Sequence, residues 1–322
     1  MTDLPQDSDS PIRVATSSCL LGAEVRFDGG HKHNGYITKT LARYFEMIPF
    51  CPEVAIGLGV PRPPIRLMSD GGQVRVVGVS DPDLDVTEDL MEYGRTVAAQ
   101  LSDASGYIFK RGSPSCGMER VKIYSDKGMP VDSGAGIYAQ TIMHELPLLP
   151  VEEEGRLMDP VLRENFIERV FVYHRLQSLC RSQLTPAKLI EFHTNHKFSV
   201  LAHDEAAYRE LGQIVAAAGS ADLPQLAERY ATLLMTAMKK RATRKLHSNV
   251  LTHIMGFLKD HIDSGDKAEL LEVIDKYRHE QIPLIVPVTL LKHHLRRYPD
   301  PYIARQYYLN PHPEELMLRN SL

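Results

Sequence analysis

The run IRVATSSCLLG (Ile12–Gly22) opens the ordered chain: a β-branched, apolar stretch ends in serines, a cysteine and a glycine. It reads as a strand (Ile12–Ser18) that delivers Cys19 into a loop. Four further runs have the same character: Met47–Val54, Val74–Gly78, Tyr107–Lys110 and Val121–Tyr124. Between them, Tyr36–Glu46 and Thr87–Ala104 carry apolar residues at helical spacing. In the latter, Leu90, Tyr93, Val97, Ala98 and Leu101 form the stripe, and Asp85 or Thr87 caps its start. Strands alternating with helices predict an α/β domain with a mostly parallel sheet. Ligands of such sheets sit beyond the carboxyl ends of the strands.

The pattern changes near LPLLPVEEEGRLMD (Leu146–Asp159), where two prolines and an acidic run suit a boundary. Beyond it the periodicity is helical over Pro160–Gln183, Pro186–Asn195, His203–Ala218, Pro224–His247, Ser248–Ser264 and Asp266–Glu280. Six prolines (Pro283, Pro287, Pro299, Pro301, Pro311, Pro313) then predict one more helix and an extended tail. The expected organisation is a disordered tail over 1–11, an α/β domain over 12–148 and an all-α domain over 155–322.

The 322 residues suffice for two domains, and 43% hydrophobic with 24% charged residues is a globular composition. No apolar run approaches a membrane span, and the acidic start MTDLPQDSDSPIR is neither a secretory signal nor a transit peptide. A cytoplasmic protein is therefore expected, with no obligate protein partner evident. The first 150 residues carry 14 Lys+Arg against 19 Asp+Glu and the remainder 23 against 22, so the second half is basic only locally. That permits an RNA partner without requiring one.

Four cysteines make no disulfide scaffold. Cys180 falls inside a helix near Tyr173, Leu176 and Leu179 and reads as ordinary core. Cys19, Cys51 (in FCPEV) and Cys116 (in GSPSCG) each fall where a predicted strand runs into a loop. Widely spaced cysteines are most often small core residues. Here Pro52, Pro114 and Gly117 put two of them on irregular backbone, where ligation is the stronger alternative. Three thiolates meeting at one point would hold three corners of a cubane cluster and leave one iron open.

Four motifs in order, SxCLLG, RFDGGHK (Arg26–Lys32), CPE (Cys51–Glu53) and SPSCG (Ser113–Gly117), resemble the TudS-type thiouracil desulfidases over roughly residues 12–145. The second half, with RKLHSNVLTHIMGFLK and PDPYIARQYYLNPHPEEL, resembles the YbgA-type domain. A chain with both is similar to bacterial tRNA 4-thiouridine desulfidases of the RudS type. The resemblance implies a [4Fe-4S] cluster on Cys19, Cys51 and Cys116, with an open iron taking the thiocarbonyl sulfur. It also implies acid–base roles for Glu53 and Ser113. Ser115 is a further candidate, bonding cluster or substrate.

In RFDGGHK, paired glycines allow close backbone approach, and Arg26, Asp28, His31 and Lys32 are candidates for substrate. A plain turn accounts for the motif equally well. Arg62 and Arg66 are candidates for contacts to substrate or to the helical domain. Lys239, Lys240, Arg241, Arg244 and Lys245 are expected on one helix, facing a phosphate backbone or simply solvent. Tyr298, Tyr302, Tyr307 and Tyr308 offer stacking surfaces, though packing on the bundle is the simpler role.

The expected activity is conversion of 4-thiouridine in tRNA to uridine with release of sulfide. The alternatives are desulfuration of free thiouracil nucleosides or nucleotides, and a non-catalytic, cluster-containing RNA-binding protein.

Overall fold

A computed structural model describes residues 11–320. The tail expected over 1–11 thus lies outside the described residues except for Pro11. The chain divides into two compact units between Asp159 and Pro160.

The first unit is built on two sheets. One contains β1 (Ile12–Ser17), β2 (Phe45–Phe50), β5 (Ala104–Phe109) and β8 (Val151–Glu153) in the order β2-β1-β5-β8, all parallel. The other contains β3 (Ile65–Asp70), β4 (Gln73–Gly78), β6 (Val121–Tyr124) and β7 (Pro130–Gly134) in the order β4-β3-β6-β7; only β3 and β6 run parallel. Every residue of β5 is buried, as expected of an inner parallel strand covered on both faces. Helices Thr87–Gln100 and Ile137–Glu145 pack against each other. Gly94 permits the approach, because a Cβ there would lie 2.8 Å from Thr141 Cβ. The parallel register stacks the carboxyl ends of β1, β2 and β5 on one side of the sheet, and the loops leaving those ends carry the candidate site.

The second unit is all helical: Pro160–Arg181, Pro186–His203, Glu205–Ala216, Leu223–Lys239, Arg244–Gly256, Ser264–Arg278, Ile285–Arg297 and the short Pro301–Ala304. Val250, Leu251, Ile254, Leu270, Leu291 and Tyr308 form the heart of its core. Tyr307 and Tyr308 are buried, so packing rather than stacking surface is their role. No helix among the described residues is long and apolar enough to cross a membrane.

An α/β unit followed by an all-α unit is the fold class read from the sequence, with corrections in detail. The helix expected over Tyr36–Glu46 is only Gly35–Lys39, capped by Asn34 Oδ1, which accepts from Tyr36 and Ile37 N–H; Phe45 and Glu46 belong to β2. The helix expected from Thr87 is preceded by Asp85, whose Oδ1 accepts from Thr87 N–H. The helix expected over Pro186–Asn195 continues to His203. The helix expected over Pro224–His247 is two, because Lys240 leaves helical geometry (φ −69, ψ 140) and Thr243 caps the next helix by accepting from Leu246 N–H. The basic run Lys239–Lys245 therefore straddles a break and has no common helical face. Cys180 is exposed, not core: it lies in the last turn of its helix, where the apolar stripe has run out.

Candidate active site

Cys19 lies in a tight turn (Ser18–Leu21) directly after β1, closed by Gly22 at φ 98, a left-handed conformation natural to glycine. Lys32 N–H donates to Cys19 O at 2.9 Å, which ties the Ala23–His33 loop back to this turn. Cys51 follows β2 as the N-cap residue of the short helix Pro52–Ala55, with Pro52 in its first turn and Glu53 beside it. Cys116 lies in the Ser113–Gly117 loop, where Gly117 N–H donates to Ser113 O (2.8 Å) and Cys116 N–H to Ser113 Oγ (3.1 Å).

These three segments wall one cavity of about 350 Å³, into which Cys19, Cys51 and Cys116 all face, with Glu53, Arg62, Ser113, Arg26, Phe27, Lys32 and Lys110. Glu53 organises it. Its Oε1 accepts from Ser115 Oγ (2.5 Å) and Ser113 Oγ (3.3 Å), and those hydroxyls lie 2.9 Å apart. Its Oε2 accepts from Arg62 Nε (3.0 Å) and Nη2 (2.6 Å). Arg62 is held in turn by Gly59 O (2.7 Å) and Val25 O (3.0 Å). A second pair reaches the cavity through Lys110, whose Nζ pairs with Glu154; Glu154 Oε2 also accepts from Arg111 N–H at 2.6 Å.

The thiols are kept protonated. Burial pushes Cys19 up to about 11, although Lys110 and Arg26 pull the other way. Burial raises Cys51 too, and Cys116 most, with the charge of Glu53 adding to the effect. Cys51 Sγ donates to Val25 O (3.8 Å), and Ser115 Oγ lies 3.7 Å from Cys116 Sγ.

The expected three-cysteine [4Fe-4S] centre is corrected on this geometry. Among the described residues, no group of three or more His, Cys, Asp or Glu side chains is arranged to hold a metal ion. The thiols line one cavity, and two have polar contacts of their own, Cys51 with Val25 O and Cys116 with Ser115 Oγ. Sharing a cavity is a looser condition than converging on a metal.

The remaining candidates scatter. Arg26 and Lys32 line the cavity; Asp28 is exposed, accepting from Gly30 N–H (3.1 Å) and lying 3.6 Å from Arg26 Nε. His31 is exposed and its Nδ1 accepts from His33 N–H (3.2 Å). Arg66 stays on β3, its guanidinium 5.8 Å from the Tyr124 ring centroid. In the helical unit Lys240 pairs with Asp204, and Arg244 donates to Tyr277 O (2.9 Å) and lies 3.7 Å from Glu280.

Sequence reasoning missed Lys110 and Glu154, which immediately follow β5 and β8, and the clamping role of Arg62. An acidic run at a suspected boundary was the only signal for Glu154. A carboxylate bracketed by two hydroxyls and a guanidinium, in a cavity of a size that suits a heterocycle, is equipped to move a proton at a bound ring.

Residues 14–154 match the family described as 2-thiouracil desulfurase, and residues 197–313 match the family described as Protein of unknown function (DUF1722). The chain is 33% identical over 154 residues to the Uncharacterized protein YbgA of Escherichia coli (strain K12), spanning 48% of this chain and 91% of the relative. It is 33% identical over 132 residues to the Uncharacterized protein YbbK of Bacillus subtilis (strain 168), spanning 39% and 86%. A solved structure titled [4Fe-4S]-dependent thiouracil desulfidase TudS is 31% identical, covering 46% of this chain and 94% of that one, with a TM-score of 0.36.

Proposed function

The chain belongs over residues 14–154 to the 2-thiouracil desulfurase family, and from that premise we propose that it removes sulfur from a thiolated uracil presented as free base, nucleoside or nucleotide. The reaction is hydrolytic: water adds to the thiocarbonyl carbon, the C–S bond breaks, and uracil and hydrogen sulfide leave. The observation that carries this reading is the Glu53 network opening onto the same cavity as three thiols.

Glu53 takes the proton of the attacking water and returns it to the departing sulfur. Ser115 and Ser113 orient the carboxylate through Oε1, and Arg62 holds it through Oε2. The protonated thiols line the cavity with soft, polarizable groups suited to a thiocarbonyl sulfur. Four unpaired cysteines fit a reducing cytoplasmic setting.

We place 4-thiouridine within tRNA behind the free thiopyrimidines. The basic run meant to follow a phosphate backbone is split by a helix break, and Lys240 and Arg244 are engaged by Asp204 and Glu280.

The test is incubation with 2-thiouracil, 4-thiouridine and 4-thiouridine-containing tRNA, following loss of thiocarbonyl absorbance and sulfide release, with Glu53→Gln as control. Turnover of the free compounds that the variant lacks supports the reading. Absence of sulfide from all three substrates sinks it.

A further inference from the structure

The helical unit has a cavity of its own, also of about 350 Å³, walled by the first turns of helices Pro160–Arg181 and Arg244–Gly256 and by Tyr277 and Arg319. Its floor is charged and mostly paired internally, apart from Arg319 Nη2, which is buried without a hydrogen-bond partner among the described residues. Glu168 Oε2 lies 3.3 Å from His203 Nε2, whose Nδ1 meets Lys240 O. Glu164 accepts from the N–H and the Nε of Arg319, each at 3.2 Å. Four buried or half-buried ionic groups under a cavity are a costly arrangement for a bundle core, where apolar packing would serve stability as well.

Three polar atoms on the walls are not matched. His247 Nδ1 is bonded to Tyr308 OH (2.9 Å), and Asn165 Nδ2 to Met238 O (3.0 Å) and Lys240 O (3.3 Å). His247 Nε2, Asn165 Oδ1 and the Tyr277 hydroxyl have no hydrogen-bond partner among the described residues. All three residues are over nine-tenths buried and line this cavity, which leaves it as the place where these atoms can meet a ligand. Burial pushes the His247 imidazole down to about 3, so it meets a ligand neutral, as donor or acceptor. The Arg244 guanidinium over the Tyr277 ring (4.9 Å to centroid) gives the cavity a flat wall, and Leu284 an apolar one. Arg241 stands exposed at the rim, without an ion-pair partner among the described residues.

We propose that this cavity is a second ligand site, taking a small planar ring with amide-type hydrogen-bonding groups and an attached anion. That is the chemistry of a pyrimidine nucleoside monophosphate. The ring lies on the Tyr277 wall with its polar edge toward Asn165 Oδ1, His247 Nε2 and the Tyr277 hydroxyl. The phosphate meets Arg241, near the amino-terminal end of helix Arg244–Gly256, where the helix dipole favours an anion.

The test is hydrogen–deuterium exchange on the full chain with uridine monophosphate and with uridine. Uridine monophosphate slows exchange of amides in residues 160–168 and 241–248. Tyr277→Phe, which removes one hydroxyl, weakens that protection about 3-fold or more. Arg241→Ala weakens it about 3-fold for the nucleotide and leaves uridine unchanged. Glu53→Gln leaves it in place, so failure of the desulfurisation reading and failure of this site are told apart. Absence of protection at millimolar nucleotide, or protection that Tyr277→Phe does not change, overturns the proposal. Protection by a single-stranded RNA but not by the mononucleotide also overturns it, in favour of an RNA surface.

Discussion

Arg62 and Glu53 form a partly buried two-pronged ion pair: Nε and Nη2 of the arginine both donate to one carboxylate oxygen, at 3.0 and 2.6 Å, and their side chains are 3% and 14% exposed. The planar fork leaves Oε1 free for the two serines and sets the plane of the carboxylate. Lysine is a point charge on a flexible stem and cannot do both. Arg62→Lys is therefore expected to lower the desulfurisation rate by roughly 10-fold or more, with a small loss of stability. Arg62→Ala leaves the half-buried Glu53 carboxylate without its cationic partner and costs about 1–3 kcal/mol. Urea unfolding and rate measurements on the same preparations separate the two effects.

The two serines differ in what they give the carboxylate. Ser115 is fully buried and donates to Oε1 at 2.5 Å, whereas Ser113 reaches it at 3.3 Å and also accepts from Ser115 and Cys116 N–H. A hydrogen bond to a charged group contributes about 1.5–3 kcal/mol. Ser115→Ala is thus expected to lower kcat about 10- to 100-fold. Ser113→Ala acts chiefly on the loop, and its signature is lower thermal stability. Equal effects of both variants on kcat, with no change in Tm, would contradict this division.

The loop bearing Ser115 is fixed from behind. Gly136 comes so close that a Cβ there would meet Ser115 O at 2.6 Å and Pro114 O at 2.8 Å, both main-chain atoms that cannot swing aside. Gly136→Ala is expected to cost about 1–3 kcal/mol and to displace Ser115 from Glu53. Activity should therefore fall in a variant that remains folded by circular dichroism.

Thiol chemistry follows burial. At pH 8, iodoacetamide should modify Cys180 first, since it is exposed, and Cys116 last, since it is the most strongly raised of the cavity thiols. Cys19, at about 11, should react slowly and speed up about tenfold per pH unit up to that value. Peptide mass spectrometry after timed quenching gives the order. Rapid labelling of Cys116 in the native protein would show that the cavity is not closed around it.

Much of this site is legible because a parallel sheet fixes where strands end. An apolar run before each of Cys19 and Cys51, β-branched in the first case, is enough to place both at the carboxyl ends of strands, and the turn residues around Cys116 put it on a loop. What a linear reading misses is pairing across distance. Arg62 and Glu53 are nine residues apart with an irregular loop between, and Lys110 meets Glu154 only because β5 and β8 are neighbours. β3 alternates only over Ile65–Met68 and directly follows Pro61, Pro63 and Pro64, which mask it, while β7 is largely exposed and shows no apolar alternation. The break after Lys239 does have a signal, since Thr243 is a good N-cap residue, but continuous helical periodicity across KKRATRK conceals it.

Acid should loosen the helical unit in two stages. His193, His196, His247 and His312 are held down to about 4, 3, 3 and 4, chiefly by burial. Their unfolded forms bind protons below about pH 6.5 while the folded ones do not, so stability falls as pH drops from there to about 4 for His193 and His312 and on to about 3 for His196 and His247. Glu168 adds a second stage. Burial alone would raise its carboxyl, but the hydrogen bond and charge of His203, with Arg319 and His312, hold it well below the usual range. Its contribution is present above about pH 4.3, the unfolded value, and is lost as pH falls below that. His203 has the opposite sign: burial lowers it, yet Glu168 raises it above 6.5 overall. Its contribution is complete below pH 6.5 and fades as pH rises past the folded value. Urea unfolding by circular dichroism from pH 3 to 8 should show both stages in the wild type. Glu168→Gln should be less stable throughout and show a shallower slope below about pH 4.3, where only the deeply depressed His196 and His247 still act, while keeping the slope above it. An unchanged acid limb in Glu168→Gln would mean that other carboxylates govern acid unfolding and that the Glu168–His203 pair contributes little to it.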